Sequence, residues 1–427
     1  MDQFCYAEDE RGLSRAELEA ALLKSLDGRS VKRALIVPPD FTRFHSQAGL
    51  LSEYYYRALT ARGAAVDIMP ALGTHEPVSR EQWEAMFGGV QYEVMLIHDW
   101  RRDVVKIGEV PADYLNEITD GLWCEPVSVE VNRRVVDDGY DLIISIGQVL
   151  PHEVIGMANH SKNIFVGLGG SDMINKSHMI GAVCGMERAM GRDHTPVRNI
   201  FDYAMEHYLK DSSILFVMTV CTVPKEESVV HGLFIGEGRD CLTAAIELAV
   251  EKNVEFVERG IRKCVAWLDP SEFKSTWLGN KAIYRTRMAI EDGGELVVLA
   301  PGIAKFGEDA QCDTLIRKYG YRGRLRTLEQ FRKPENQDLR DNMGAAAHLI
   351  HGSPDGRFTV TYAVREISQE EIASVGFIPA NYDELIKKYN PKILRQGWNT
   401  ADGQEIYFIQ NPALGLWTTH ERFNANS

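Results

Sequence analysis

Short apolar runs alternate along this chain with longer stretches in which apolar residues recur every three or four positions, and the two patterns predict different elements. RALIVPP (33–39), AAVDIMPALG (64–73), DLIISIG (141–147) and SILFVMTV (213–220) have the length and continuity of buried strands. Between them, LLSEYYYRALTARG (50–63) reads as a helix closed by glycine and CLTAAIELAVEKNVEFVERG (241–260) as a long helix. The same grammar resumes with a helix over NKAIYRTRMAIED (280–292), a strand at ELVVLAP (295–301), a helix at MGAAAHLIH (343–351) and a strand at RFTVTYAV (357–364). Repeated strand, helix, strand predicts an α/β fold with mostly parallel sheets. At 427 residues the chain exceeds one ordinary core. Two α/β domains are therefore expected, 1–262 and 281–399, with a hinge at WLDPSEFKSTWLGN (267–280), a tail at 400–427 that can rejoin the first domain, and the active site in the cleft between the two.

Charge and cysteine usage narrow the partners. A formal net charge of −14 opposes binding to nucleic acid or to anionic lipid, both of which need a basic surface. No apolar run reaches the roughly 18 residues of a membrane helix, and MDQFCYAEDERG lacks the pattern of a signal peptide, so a cytoplasmic protein is expected. The seven cysteines are scattered and never spaced C-x-x-C, which fits reduced thiols and gives no zinc or iron–sulfur signature.

In open α/β sheets ligands gather outside the carboxyl ends of strands, and three such loops here carry unusual chemistry. PPDFTR (38–43) brings Asp40, Thr42 and Arg43. LGTHEPVS (72–79) brings His75, and PHEVIGMANHSKN (151–163) brings His152, His160 and Lys162, with His178 following. Each loop alone also fits a surface turn, an ion pair or a helix cap. Together they suggest one pocket. Arg43 suits a carboxylate, and His75 and His152 suit proton exchange near neutral pH. A histidine on either side of one carbon points towards racemisation or epimerisation. Lys162 is a candidate covalent anchor or charge partner and His178 a candidate metal ligand, although no H-E-x-x-H spacing occurs.

These residues resemble, over most of the chain, the nickel-dependent lactate racemase family of 2-hydroxyacid racemases and epimerases. PPDFTR is similar to the family's P-x-D-x-T-R loop, and GTHEP to its G-T-H-R loop with Glu76 where arginine is usual. His152, Lys162 and His178 resemble the family's histidine, its lysine ten residues on and its histidine sixteen further. The resemblance implies a nickel-pincer nucleotide made by separate cofactor-synthesis proteins, tethered through Lys162 and ligated by His178. It further implies His75 and His152 as acid/base groups, Arg43 on the substrate carboxylate, and Asp40 and Thr42 positioning the cofactor. The C2 hydrogen would leave as hydride, which avoids the unstable dianion that C2 deprotonation beside a carboxylate would create.

Departures from the family pattern shape the expected substrate. Asn159, His160 and Ser161 precede the lysine where the family has a glycine pair, and IYRTRMA (283–289) keeps Tyr284 but has Arg285 for glutamine and Met288 for lysine. Tyr284, Arg285 and His160 are the expected additional substrate contacts, with core packing the simpler reading of Met288. A longer, more polar 2-hydroxy acid is expected, an aldonate such as gluconate or mannonate ahead of a malate-like diacid. Lys305 reads as a loop lysine, with a place lining the cleft as its alternative. Competing functions are a zinc hydrolase using His75, His152 and His178, a non-catalytic sugar-acid-binding protein, and an NAD-dependent oxidoreductase. For the last, no G-x-G-x-x-G follows the first strand.

Overall fold

The structure is a computed structural model that describes residues 2–136, 139–224 and 227–425. The chain divides into two compact units: one holds the residues up to Ser177 and Met190–Asn253, the other His178–Ala189 and the residues from Val254 onward.

The first unit contains β1 (Gln3–Tyr6), β2 (Arg33–Val37), β3 (Ala65–Ile68), β4 (Val104–Val110), β5 (Val127–Asn132), β6 (Leu142–Gln148), β7 (Pro151–His152), β8 (Gly156–Met157), β9 (Ile214–Thr222) and β10 (Val229–Gly236). Six of these form a sheet in the order β1-β10-β9-β6-β2-β3. Strands β9, β6, β2 and β3 run parallel, while β10 and β1 add an antiparallel edge. Leu142 through Gly147 of β6 are all buried, as a parallel strand covered on both faces requires. Helix Ala48–Ala61 places Leu51, Tyr55 and Leu59 on its inner face at helical spacing, and they join Ile36 and Ile144 in the core. Strands β4/β5 and β7/β8 are separate antiparallel pairs.

The second unit holds β11 (Val254–Phe256), β12 (Ile261–Trp267), β13 (Ile290–Leu299), β14 (Thr359–Val364), β15 (Ile378–Asn381), β16 (Gly397–Ala401), β17 (Gln404–Ile409) and β18 (Leu416–Thr418). Its sheet runs β15-β14-β13-β12-β17-β16, parallel except for the β16/β17 pair. Both units are therefore α/β with mostly parallel sheets.

Several sequence expectations are corrected. The helix expected over 241–260 is Arg239–Asn253, because Val254, Phe256 and Val257 favour extended backbone and β11 pairs with β18. The helix expected over 280–292 stops at Tyr284. Thr286 bonds back to the Ala282 carbonyl, and Ile290 is taken into β13 opposite Ile261. The stretch 267–280, expected as a hinge, belongs to the second unit, where Thr276 and Trp277 donate backbone bonds to Lys305 and Phe306. The units divide at Asn253, not near 262, and the tail does not rejoin the first unit, because β17 pairs with β12 in the second. No helix among the described residues is long and apolar enough to cross a membrane. All seven cysteines are free thiols.

Candidate active site

Strand β3 lies on one side of β2 and β6 on the other, so the sheet's order reverses between β2 and β6. A crevice at the carboxyl ends of strands forms at such a reversal. Asp40 follows β2, His75 follows β3, and His152 and Lys162 follow β6. The Ala71 N–H donates to the Pro38 carbonyl at 2.7 Å, and the Gly73 N–H to the Gly167 carbonyl at 2.9 Å, joining the three loops. Glycine is required at both ends of the second bond. Gly73 has φ +56°, and a Cβ on Gly167 would come within 2.5 Å of the Ala71 Cβ.

Asp40 begins the short helix Phe41–Ser46 and accepts from the Thr42 N–H at 3.0 Å and the Thr42 hydroxyl at 2.5 Å, both at Oδ1. Its other oxygen, Oδ2, bonds Nδ1 of His75. Burial acts to raise the Asp40 pKa, but the bonds from His75 and Thr42 and the charge of His75 outweigh it and hold the carboxyl below its ordinary value. A carboxylate only accepts, so Nδ1 of His75 carries a proton, and whenever the ring is neutral Nε2 presents the lone pair. That ring is 60% exposed. Asp40, expected together with Thr42 to position a cofactor, orients this histidine, and Thr42 holds Asp40. His152 is buried in the β7/β8 hairpin, where its Nδ1 accepts the Val154 N–H at 3.1 Å.

After the hairpin the backbone takes a rare course. Asn159 (φ +75°) and His160 (φ +59°) are consecutive left-handed residues other than glycine, a costly arrangement that the surroundings must impose. Arg198, fully buried on helix Pro196–Ala204, imposes it by donating to the Met157 carbonyl at 2.6 Å, the Ser161 hydroxyl at 2.9 Å and the Asn159 carbonyl at 3.4 Å. Sequence reasoning missed Arg198, because an arginine beside Val197 and Ile200 on an amphipathic helix carries no signal of what it will meet. Replacing it with methionine should strand three acceptors and cost on the order of 3 kcal/mol. Urea unfolding measures this, and a loss below about 1 kcal/mol would contradict the cradle.

His160, expected to touch substrate, is 4% exposed and stacks on Phe216 of β9 with ring centroids 3.7 Å apart. Burial first, then the Arg198 charge, keeps it neutral. Its ring packs on that phenylalanine inside the first unit. Lys162 follows at the head of the π-helical turn Asn163–Gly167, which Asn163 ties to β6 through the Ile146 carbonyl at 3.1 Å. The lysine is half-buried, and its ammonium makes no hydrogen bond or ion pair among the described residues. Burial, followed by the charge of Arg43, pulls its pKa down to about 8. Competitive acylation of the unmodified protein should therefore show Lys162 labelling rise with pH around a midpoint near 8. A midpoint at the ordinary lysine value of about 10.4 would refute the depressed amine.

The remaining candidates belong to the second unit. His178 lies on helix Ser171–Cys184 at the first residue of the second unit's short segment. Tyr284 and Arg285, each 6% exposed, belong to the second unit, as does Met288, which is 1% exposed and packs in the core. Lys305 is exposed and donates to the Glu308 carbonyl at 2.6 Å. Among the described residues, no three His, Cys, Asp or Glu side chains are grouped to hold a metal ion.

The chain is similar to known proteins in part of its sequence and in its fold. Residues 18–191 match the lactate racemase N-terminal domain. No protein of curated function matches the chain in sequence. A crystal structure of a Thermotoga maritima protein superposes with a TM-score of 0.78 at 22% identity, covering 96% of this chain and 99% of that one. The lactate racemase apoprotein from Thermoanaerobacterium thermosaccharolyticum superposes with a TM-score of 0.70 at 17% identity, covering 95% and 93%. These two likenesses share the fold, and the domain match spans the loops that carry Asp40, His75, His152 and Lys162. Residues 18–191 are thus similar to a lactate racemase N-terminal domain, and the whole chain shares its fold with the two solved structures.

Proposed function

We propose that this protein is a racemase or epimerase that inverts C2 of a polar 2-hydroxy acid, an aldonate such as gluconate or mannonate, with a nickel-pincer nucleotide tethered through Lys162. The observation that carries this reading is Lys162 itself: an amine with its pKa near 8, without a hydrogen bond or ion pair among the described residues, at the sheet's reversal point. Such an amine suits acylation-type attachment. His178 would supply the protein's ligand to nickel. When bound, the nucleotide supplies reversible acceptance of the C2 hydrogen with its electron pair.

The chain's own residues do the rest. Arg43 is close enough to lower the Lys162 pKa by its charge, and its planar fork holds the substrate carboxylate. His75 takes the hydroxyl proton at Nε2, while Asp40 holds the opposite ring nitrogen and stabilises the imidazolium that forms. His152 is the second of the two acid/base groups. Arg285 and Tyr284 supply the polar contacts that favour a hydroxylated chain over the methyl of lactate.

The loaded enzyme should convert an aldonate to its C2 epimer faster than it racemises lactate, as chiral chromatography across a panel of sugar acids and short hydroxy acids would show. Turnover of lactate alone would sink the substrate assignment.

A further inference from the structure

We infer that this chain associates with a second copy of itself through β1, the two β1 strands pairing antiparallel across a two-fold axis so that the six-stranded sheets of both copies join into one. The inference is independent of the reaction proposed above. It starts from the edges of the two large sheets. An edge strand presents unpaired N–H and carbonyl groups, and monomeric proteins commonly blunt such edges with proline, charge, self-bonding side chains or a covering segment. The β3, β15 and β16 edges are blunted in this way. At β3 the Leu96 N–H donates to the Ile68 carbonyl at 2.8 Å, so the chain that follows lies along the strand. Strand β15 carries Pro379, and in β16 the Asn399 amide donates to the Gly397 carbonyl of its own strand at 2.7 Å. The β1 edge has none of these devices. Its sequence, Gln-Phe-Cys-Tyr, contains neither charge nor proline, and among the described residues it pairs with β10 alone.

The register of β1 on β10 fixes which groups face outward. The Ala7 N–H donates to the His231 carbonyl at 2.9 Å, and Tyr6 stands opposite Gly232. Hydrogen-bonded pairs alternate along an antiparallel ladder. Gln3, Cys5 and Ala7 therefore turn their backbone groups to β10, and Phe4 and Tyr6 turn theirs away from it. The side chains of those same two residues share one face of the sheet, where both rings lean on the buried Phe234 with centroids 6.0 and 5.3 Å away. They remain 44% and 52% exposed. Unpaired backbone groups and half-covered aromatic rings thus stand side by side on the same short strand.

A second copy fits this edge because an antiparallel strand is complementary to itself about a two-fold axis. The outward-facing residues must oppose one another, and the charges flanking the strand choose the register. With Cys5 on the axis, Phe4 would face Tyr6 of the second copy, but Asp2 would face its Glu8, and like charges directly opposite are destabilising. With Phe4 on the axis, Phe4 faces its own counterpart, Tyr6 faces Asp2 and Gln3 faces Cys5, so no charge opposes another. The register centred on Phe4 is the one assigned. It gives every outward backbone group of Phe4 and Tyr6 a partner and gathers the rings of both copies on one face. One strand and two rings per copy make a small contact, so the association is reversible, with a dissociation constant on the order of 10 µM.

Sedimentation velocity of the full chain from about 1 to about 300 µM tests this, and the expected result is a concentration-dependent passage from monomer to dimer. Phe4→Pro removes an N–H that points away from β10, so it leaves β1 in its own sheet while blocking the second copy. It should raise the dissociation constant at least about tenfold. Phe4→Lys keeps every backbone group but sets charge against charge on the axis, and it should weaken the dimer by a similar factor even if the proline variant does not fold. Thermal unfolding of each variant beside the wild type shows which ones are intact. The register is read separately. With the exposed Cys124 removed by Cys124→Ser, Gln3→Cys treated with diamide should form a disulfide to Cys5 of the second copy, located by peptide mass, because the two positions face each other in the assigned pairing. A wild type that stays monomeric throughout, or a dimer that neither Phe4 variant weakens, would overturn the inference, and a bridge joining Cys5 to Cys5 would overturn the assigned register.

Discussion

Lys162→Met and Lys162→Arg will each yield a folded protein that gains no cofactor mass and turns over no substrate when co-expressed with cofactor-synthesis proteins. Methionine keeps the volume of the side chain but has no nucleophile. Arginine keeps the charge, and its guanidinium is never neutral enough to be acylated. The effect on folding runs the other way. A lysine whose folded pKa lies near 8, below its unfolded value, disfavours the native state while it is charged. That penalty is fully present below pH 8 and is relieved as pH rises from about 8 towards the ordinary value of about 10.4. Lys162→Met should therefore match or exceed the wild-type Tm at neutral pH, by thermal unfolding. A lower Tm would mean that the lysine has a structural partner.

Asp40→Asn will lower kcat of the loaded enzyme by about a thousandfold or more while leaving the Lys162 adduct intact. Asparagine fills the same space, and its carbonyl can still accept from Thr42. That orientation turns its amide N–H₂ towards His75, which must then put its lone pair on Nδ1 and its proton on Nε2. The base is lost without disturbing the loop. Peptide mass and steady-state kinetics on the same preparation separate the alternatives. Loss of the adduct would assign Asp40 to the cofactor instead, and kcat within tenfold of wild type would remove it from proton handling.

The central strands of the first unit were legible because parallel strands buried on both faces read as unbroken apolar runs, as Leu142 through Gly147 do. The carboxyl ends of those strands then pointed to loops that the fold bonds to one another at the sheet's reversal. Helix ends were harder to read where a helical pattern runs into residues claimed by a distant strand. Val254–Phe256 pairs with Leu416–Thr418, a strand far along the chain that the local pattern does not reveal. The candidate site divides in the same way. Residue types at strand ends were visible, but their partners were not: Asp40 and His75 are 35 positions apart, and nothing local says that one orients the other. His160 looked polar and available in the chain, yet its left-handed backbone and the Phe216 ring turn it inward. The group that orients His75 is a carboxylate that only folding brings to it.

The central claim is that Lys162 is the point of cofactor attachment. Its most direct test is the intact and peptide mass of the wild-type chain, with nickel content, after co-expression with cofactor-synthesis proteins. This account predicts a nickel-bearing nucleotide adduct on the peptide containing Lys162. An unmodified Lys162 with zinc bound instead, while a control enzyme in the same cells becomes loaded, would contradict it.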